Sequence, residues 1–172
     1  MTRGFFIGRF QPFHDGHRAV VEHVAGEVDE LVLGIGSADV SHTVHDPFTA
    51  GERVLMVTKA VADADVQTYV VPIEDIDRNA LWVSHLESMV PAFDVAYSNN
   101  PLVIRLFREA GVEVRHPPMV ERHRFEGTGI REQMLAGDEW VEHVPDVVAE
   151  VIDEVDGVER IRTVAEDDGS EP

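Results

Sequence analysis

The sequence predicts an α/β protein with a Rossmann-like, doubly wound parallel sheet of about five strands and helices on both faces. Short apolar segments alternate with segments of helical periodicity along most of the chain. The apolar segments are nearly uniform rather than alternating, which is typical of strands buried on both faces. With 172 residues, 44% of them hydrophobic, the chain is long enough to bury such a sheet in one domain.

Five short apolar segments predict the strands, in chain order 4–8, 30–36, 68–73, 93–98 and 112–114. Glycine ends the first two segments, as expected where a buried strand passes into a loop. A polar loop over residues 37–47 follows the second strand. Because strands and helices alternate, each strand is expected to run parallel to its neighbours.

Six segments predict helices: 16–26, 49–61, 81–89, 101–110, 128–137 and 145–155. Thr49 and Glu52 have the spacing of a capping box at the start of the second helix. Pro101 occupies the favoured first-turn position of the fourth. We expect residues 1–164 to form a single domain and residues 165–172 to form a flexible acidic tail.

The composition excludes several classes of partner and site. The net charge is -19, and Lys59 is the one lysine in the chain. Such a surface repels nucleic acid and anionic lipid, and no apolar run approaches the roughly 18 residues of a membrane span. Without cysteine there is no disulfide, thiolate metal site or cysteine nucleophile. With no signal peptide evident, we expect a cytoplasmic protein.

Diffuse acidity with almost no lysine favours a halophilic protein. At about 1 M salt the Debye length is about 3 Å, so carboxylates on the surface stay hydrated while their mutual repulsion is screened. The alternative is an acidic protein from an organism that lives at ordinary salt concentrations.

The loop after the first strand, residues 8–17, predicts a phosphate site. His14 and His17 are three positions apart at a helix start, where one turn can point both side chains the same way. Gly16 allows close approach of a ligand, and Arg9 adds positive charge. Free N–H groups and a partial charge of about +0.5 at the helix start favour anions. A single histidine is more often a satisfied surface or core residue, and two histidines alone make a poor metal site.

A second segment, residues 127–131, opens the fifth predicted helix with Gly-Thr-Gly-Ile-Arg. Thr128 is placed to cap this helix, and Arg131 can turn back to hold two phosphate oxygens. The alternative is an ordinary cap with a surface arginine. Because ligands of such sheets bind beyond the carboxyl ends of the strands, both segments could share one site.

Other motifs are absent from the sequence. There is no phosphate-binding Gly-x-x-x-x-Gly-Lys-Ser/Thr loop, no Gly-x-Ser-x-Gly elbow and no His-Glu-x-x-His helix. Residues 34–36 begin like a dinucleotide fingerprint, but Asp39 stands where the third glycine is needed.

These motifs resemble those of a known superfamily. The segment ending in His14-Asp15-Gly16-His17 matches the His-x-Gly-His signature of the nucleotidylyltransferases, and Thr128 to Arg131 resembles their Ser/Thr-x-x-Arg helix start. Within that superfamily the chain resembles the archaeal nicotinamide-nucleotide adenylyltransferases, and the resemblance extends from residue 4 to about 162. The stretches that carry it are 34–38, 41–43, 46–53, 79–83, 97–103 and 157–160.

The resemblance implies transfer of AMP from ATP to nicotinamide mononucleotide (NMN), which gives NAD and pyrophosphate. It implies that the ATP site contains Gly8, Arg9, Phe10, His14, Gly16, His17, Gly127, Thr128 and Arg131. Catalysis is expected from His14, His17, Arg9 and Arg131. The attacking phosphate is already an anion, so the reaction needs positioning and charge stabilisation rather than a general base.

For the nicotinamide end, the residues implied are Asp77, Asn79, Trp82 and Ser37. The indole of Trp82 can stack on a cationic ring, although its helical position suits a core tryptophan almost as well. Magnesium is expected on the ATP phosphates, with no protein residue as its ligand. The resemblance also implies a homo-oligomer, a hexamer.

Two other functions remain open. A related enzyme would transfer a nucleotidyl group to a different phosphate acceptor, such as phosphopantetheine. A protein of another class would bind the nucleotide as a sensor without catalysis. Pyrophosphate release with NMN distinguishes these functions.

Overall fold

The computed structural model describes residues 1–119 and 126–168, and within them five parallel strands form one sheet. The strands are β1 (Arg3–Gly8), β2 (Glu30–Ile35), β3 (Gln67–Pro72), β4 (Val95–Tyr97) and β5 (Glu113–Arg115). Their order is β3-β2-β1-β4-β5, and every neighbouring pair is parallel. The doubly wound prediction is therefore confirmed. The chain reverses its direction of winding between β1 and β4, which is where such sheets bind ligands.

Helices cover both faces of the sheet. They are α1 (Asp15–Ala25), α2 (Ala50–Ala60), α3 (Trp82–Met89), α4 (Pro101–Glu109), α5 (Gly127–Ala136), α6 (Asp146–Glu154) and α7 (Gly157–Asp168). Successive side chains of a strand point to opposite faces, so Phe6 packs among α1, α2 and α5–α7 while Phe5 packs against α3 and α4. The two faces therefore have separate apolar cores.

The predicted start of α2 is confirmed in detail. The Thr49 hydroxyl accepts a hydrogen bond from the Glu52 N–H at 3.1 Å, and the Glu52 carboxylate accepts one from the Thr49 N–H at 2.9 Å. Pro101 occupies the first turn of α4, and the side chain of Asn100 caps that helix. Both caps are formed by residues no more than three positions apart, which is why the sequence predicts these helix starts.

Helix α7 is absent from the predicted helices. The structure continues it through Asp168, so residues 165–168, which we expected to lie in a flexible acidic tail, are helical. Residues 169–172 lie outside the described residues. The helix is mostly polar, and Ile161 is its one fully buried apolar side chain. So narrow an apolar stripe gives little periodicity in the sequence.

A salt bridge joins α7 to the start of α2. Nη1 of Arg160 lies 2.6 Å from a Glu52 carboxylate oxygen and also donates to the Pro47 carbonyl at 3.1 Å. Both side chains are mostly buried. Burial by itself would raise the pKa of Glu52. The Arg160 guanidinium and the hydrogen bonds from Thr49 outweigh burial and hold this pKa below its ordinary value. The C-terminal helix thereby fixes the segment that precedes α2.

In the part of the chain that the structure describes, no helix has the length and apolar character needed to cross a bilayer.

Candidate active site

A cleft with two lobes opens at the carboxyl ends of β1 and β4. The first, called here the histidine lobe, has a volume of about 580 Å³ and is lined by residues that include His14, Gly16, His17, Asn99, Gly127 and Thr128. The second, the tryptophan lobe, has a volume of about 300 Å³, and its lining includes Gly8, Arg9, Ser37, Asp75 and Trp82. Ile7, Ser98 and Asn100 line both, so the two lobes adjoin. The two sequence-distant segments therefore meet in one cleft.

His14 and His17 cap helix α1 reciprocally. His14 is the N-cap residue, and its Nδ1 accepts hydrogen bonds from the N–H groups of Gly16 at 3.1 Å and His17 at 3.4 Å. In return, Nδ1 of His17 accepts from the His14 N–H at 3.1 Å. This corrects the expectation of free N–H groups here, because the imidazoles occupy those of Gly16 and His17. The donors at this helix start are the rings themselves.

The hydrogen bonds also define the protonation of the two rings. Because each Nδ1 accepts an N–H, each neutral ring carries its proton on Nε2. The rings are stacked, with centroids 3.7 Å apart. Burial, and secondarily the charge of Arg131, lowers the pKa of His14 to about 4. Burial, and then His14, lowers the pKa of His17 well below its ordinary value. At neutral pH the pair offers two uncharged Nε2–H donors.

We expect neither histidine to titrate between pH 6 and 8 in the free protein. Nitrogen-15 NMR should show the Nε2–H tautomer for both rings, with His14 protonating near pH 4. Since folding lowers the pKa of His14 from 6.5 to about 4, the stability that its neutral ring contributes is complete above pH 6.5 and is lost as the pH falls towards 4. The lowered pKa of His17 acts in the same direction. The urea-unfolded chain provides the control, because its histidines should titrate near pH 6.5. A midpoint near 6.5 for either folded-state ring would contradict the geometry.

Helix α5 brings the second segment to the cleft, but not with the predicted cap. The N-cap residue is Glu126, whereas Thr128 lies inside the first turn, so the expectation that Thr128 caps the helix is wrong. Among residues 1–119 and 126–168 no side chain makes a capping hydrogen bond to this helix, so within the described residues its first-turn N–H groups face the cleft as donors for an anion. The Thr128 hydroxyl instead accepts from Nη2 of Arg131 at 3.3 Å.

Arg131 links this helix to the loop that follows β1. Its Nη1 donates to the Gln11 carbonyl at 2.9 Å, across 120 positions of sequence. Gly127 leaves the room that this arrangement needs, because a Cβ there would lie 2.9 Å from the same Nη1. The guanidinium is therefore held beside Thr128, which lines the histidine lobe, although Arg131 itself lines neither lobe.

The residues that follow β1 differ sharply in exposure. The side chain of Arg9 is 63% exposed, and its Nη1 lies 3.5 Å from an Asp46 carboxylate oxygen. Phe10 is 1% exposed and packs its ring on the edge of the His17 ring, with centroids 4.8 Å apart. The side chain of Phe10 therefore lies in the core and supports the His17 ring, so Phe10 could contribute to the predicted ATP site only through its backbone.

Asp46 is a site residue that the sequence analysis missed. It is 7% exposed, and its Oδ1, the atom 3.5 Å from Arg9, makes no hydrogen bond with any residue that the structure describes. Its charge opposes the lowering of the pKa of Arg131 that burial causes. A buried carboxylate beside the basic residues of the cleft therefore balances part of their charge before an anionic ligand binds.

The tryptophan lobe contains two of the four residues expected at the nicotinamide end. Ser37 donates from its hydroxyl to an Asp75 carboxylate oxygen at 3.1 Å. Trp82 begins α3, packs edge-on against Phe107 and lines the lobe as well, so it belongs both to the core and to the cleft.

Asp77 and Asn79 do not line the tryptophan lobe. Both are exposed, and Asn79 begins the short 3₁₀ turn Asn79–Leu81 that leads into α3. Asp75 lines the lobe instead, two positions before Asp77. The sequence does indicate an acidic residue after the third strand. The path of the chain between this strand and α3, which the sequence does not show, decides which carboxylate faces the lobe.

Comparisons with known proteins agree with this geometry. Residues 5–133 match the cytidylyltransferase-like family model. The chain is 63% identical to the nicotinamide-nucleotide adenylyltransferase of Haloarcula marismortui, covering 98% of this chain and 90% of the relative. The corresponding enzyme of Halorubrum lacusprofundi is 66% identical, and the match covers 98% of this chain and 96% of the relative. That of Methanoculleus marisnigri is 57% identical, and the match covers 98% of this chain and 100% of the relative.

Solved structures with low sequence identity share the fold. A bifunctional NMN adenylyltransferase/ADP ribose pyrophosphatase from Francisella tularensis, in complex with AMP and manganese ion, superimposes with a TM-score of 0.75 at 18% identity. The match covers 97% of this chain and 53% of that longer one. The crystal structure of a putative nicotinate-nucleotide adenylyltransferase from Vibrio parahaemolyticus gives a TM-score of 0.60 at 17% identity. The match covers 88% of this chain and 99% of that one.

Proposed function

The chain belongs to the nicotinamide-nucleotide adenylyltransferases within the cytidylyltransferase-like family, and from this premise we infer that it joins ATP and NMN into NAD with release of pyrophosphate. The observation that carries the proposal is the meeting of two helix starts in one cleft. The His14–His17 pair and the start of α5 line the histidine lobe, and the tryptophan lobe adjoins it. Two nucleotides can therefore bind end to end across the switch point of the sheet.

In the proposed reaction, a 5′-phosphate oxygen of NMN attacks the α-phosphorus of ATP. A new P–O bond forms, and the bond to the bridging oxygen breaks, so pyrophosphate leaves with the electron pair. No proton has to be removed from the nucleophile. We assign the ATP phosphates to the histidine lobe and NMN to the tryptophan lobe, which places the α-phosphate near Ile7, Ser98 and Asn100 where the lobes join.

The proposed work of the protein is to stabilise negative charge as it moves onto the leaving oxygens. Neutral Nε2–H donors on His14 and His17 suit this task, because fixed donors need no reorganisation during the reaction. The first-turn N–H groups of α5 add further donors, and Arg9 and Arg131 add positive charge. Gly8 and Arg9 line the tryptophan lobe rather than the histidine lobe, and since Arg9 is exposed and only loosely paired with Asp46, its side chain can move to the phosphates where the lobes join.

Magnesium is proposed to arrive with ATP. Among residues 1–119 and 126–168, no three histidine, aspartate or glutamate side chains are grouped so that they could hold a metal ion. Mg²⁺ commonly keeps water and substrate oxygens as ligands, so the phosphates themselves fit as its main ligands. Bound there, it would neutralise part of the charge of the leaving pyrophosphate.

The proposal is tested by measuring pyrophosphate release from ATP in about 2 M KCl with MgCl₂. NMN, nicotinate mononucleotide and phosphopantetheine are compared as acceptors. We expect turnover with NMN, and NAD as its product. Turnover with phosphopantetheine alone would favour the other transferase, and nucleotide binding without turnover would favour a sensor. We also propose that the protein forms a homo-oligomer, a hexamer, which light scattering after size-exclusion chromatography tests. Cell fractionation tests the proposed cytoplasmic location.

Replacing Trp82 by alanine is expected to raise the KM for NMN about 5- to 30-fold while kcat changes less. Stacking of a cationic ring on an indole contributes about 1–2 kcal/mol, which is lost when the ring is removed. Trp82→Phe, which keeps an aromatic face towards the lobe, is the matched control and should lie between alanine and the wild type. An unchanged KM with a lowered Tm would instead make Trp82 a core residue only.

A further inference from the structure

Arg53 is a charged side chain that is fully buried. It lies in the first half of α2, is 0% exposed, and does not line either lobe of the cleft. Its guanidinium donates five hydrogen bonds, and every acceptor is a backbone carbonyl. The acceptors are Gly36 at 2.8 Å, Arg9 at 2.9 Å, Ser37 at 3.0 Å, Thr49 at 3.2 Å and Val40 at 3.3 Å.

These bonds join three segments that are distant in sequence. Nη1 donates to the carbonyls of Arg9 and Gly36, which lie just beyond the ends of β1 and β2. Nη2 donates within the loop that follows β2, and Nε donates to Thr49 at the start of the arginine's own helix. One rigid planar group therefore ties both loops to α2.

The two carbonyls bound by Nη1 occupy equivalent positions in their loops. Each immediately precedes a non-glycine residue in the left-handed region: Phe10, with φ of 54°, follows Arg9, and Ser37, with φ of 49°, follows Gly36. L-residues adopt this conformation at an energetic disadvantage, so other interactions must hold it in place. Arg53 supplies such an interaction to both turns at once.

Both turns carry residues of the cleft. From the first turn, Arg9 lines the tryptophan lobe while Phe10 packs under His17 of the histidine lobe. From the second, Ser37 lines the tryptophan lobe and bonds to Asp75. The relative position of the two lobes thus depends on the guanidinium that holds both turns.

Lysine cannot reproduce this arrangement. The guanidinium presents five N–H donors in a fixed plane, whereas an ammonium group has three donors around one nitrogen. A lysine at this position would keep the positive charge but leave at least two of the five carbonyls without their donor. The charge and the geometry of Arg53 can therefore be separated by experiment.

We propose that Arg53 is a positioning residue for adenylyl transfer, which fixes the ATP and NMN halves of the cleft at the separation that in-line attack requires. The inference rests on the proposed function. Arg53 touches neither substrate lobe, so it acts through the turns at Arg9–Phe10 and Gly36–Ser37. Displacement of reacting groups by about 1 Å can lower a rate about 10²-fold even when each substrate still binds.

Arg53→Lys is the principal test, and Met56→Ala is its matched control. Met56 lies one turn further along α2 and is also 0% exposed, but it belongs to the apolar core. Steady-state kinetics in high salt are corrected for the folded fraction by circular dichroism, and calorimetry gives the Kd for ATP. We expect Arg53→Lys to lower kcat about 10²-fold with the Kd for ATP within about threefold of wild type. Met56→Ala should lower Tm and leave kcat per folded molecule near wild type.

Several outcomes would overturn the proposal. A kcat per folded molecule within threefold of wild type for Arg53→Lys would leave Arg53 with a structural role only. An equal loss of kcat in Met56→Ala would make the effect one of general destabilisation. If Arg53→Lys does not fold, the second turn is loosened at Ser37 instead. Ser37→Ala and Ser37→Gly both lose the hydroxyl, but glycine also frees the backbone that Arg53 holds at a φ of 49°. A lower kcat for Ser37→Gly than for Ser37→Ala supports the proposal, and equal kcat values contradict it. A wild-type protein without adenylyl transfer refutes the proposed function itself, whereas an active wild type beside an unaffected Arg53→Lys refutes only the positioning role.

Discussion

Replacement of His17 by alanine is expected to lower kcat by about 10²-fold or more, with a smaller change in the KM for NMN. The ring offers a fixed, neutral Nε2–H donor at the place where we expect charge to develop on the phosphates. Loss of one such donor typically costs about 2.7–4 kcal/mol of transition-state stabilisation. Steady-state pyrophosphate release at saturating ATP and NMN measures the effect. A kcat near that of the wild type would exclude His17 from the mechanism.

Alanine removes two interactions at once, so two further variants separate them. Asparagine at position 17 can still accept the His14 N–H through its side-chain oxygen, but it lacks the distal donor. Glutamine places an N–H near the position of Nε2 and loses the cap. If the donor carries the effect, His17→Asn should be as slow as His17→Ala, and His17→Gln should retain more activity. The loss of stability, about 1 kcal/mol for a missing cap, should follow the opposite order.

The parts of the fold that the sequence predicts are those with short-range causes. The β1 strand is an apolar run whose side chains are buried on both faces, and such a run stands out without knowledge of the fold. Thr49 and Glu52 form their capping box over three positions. The two motif segments are also local, and the position of ligand sites at a switch point places both in one cleft.

The parts that the sequence does not predict depend on contacts between distant positions. Phe10 lies in a loop motif between polar residues, and only the left-handed turn at that position buries its ring beneath His17. Helix α7 is largely polar and is held by Arg160 on Glu52, 108 positions away. Arg53 belongs to an ordinary helical pattern, and its five carbonyl acceptors become evident only when both loops are in place.

A further difference between the predicted and the observed structure lies at the start of α5, where a threonine hydroxyl can either cap the helix or bond to a neighbouring arginine. The sequence correctly predicts a helix start near Thr128, a residue type that commonly caps helices. In the structure the helix begins one residue earlier, at Gly127, and the Thr128 hydroxyl bonds to Arg131 instead. The fixed position of Arg131, bonded to the Gln11 carbonyl, explains this choice, because the threonine hydroxyl lies one turn before the guanidinium.

Arg131→Lys is expected to lower kcat/KM for ATP about 10²-fold, although it keeps the positive charge. In the free protein, the guanidinium bonds to the Gln11 carbonyl through Nη1 and to Thr128 through Nη2, so its fork is held in a fixed orientation next to the histidine lobe. A single ammonium nitrogen can keep the tie to the loop or reach a phosphate, but it cannot do both in this geometry. Kinetics with varied ATP at saturating NMN measure the change.

Comparing the activity lost by Arg131→Lys with the activity lost by Arg131→Ala identifies what Arg131 contributes. If its main role is to tie α5 to the loop after β1, both variants should lose stability, and the KM for ATP should change little once corrected for folding. If it also binds phosphate, lysine should retain part of the activity that alanine loses. Glu132→Gln is the control, because it changes one exposed charge at the neighbouring position of α5 and should remain within about twofold of wild type. An Arg131→Ala enzyme with wild-type kcat/KM for ATP would show that the Arg131 side chain does not bind the triphosphate.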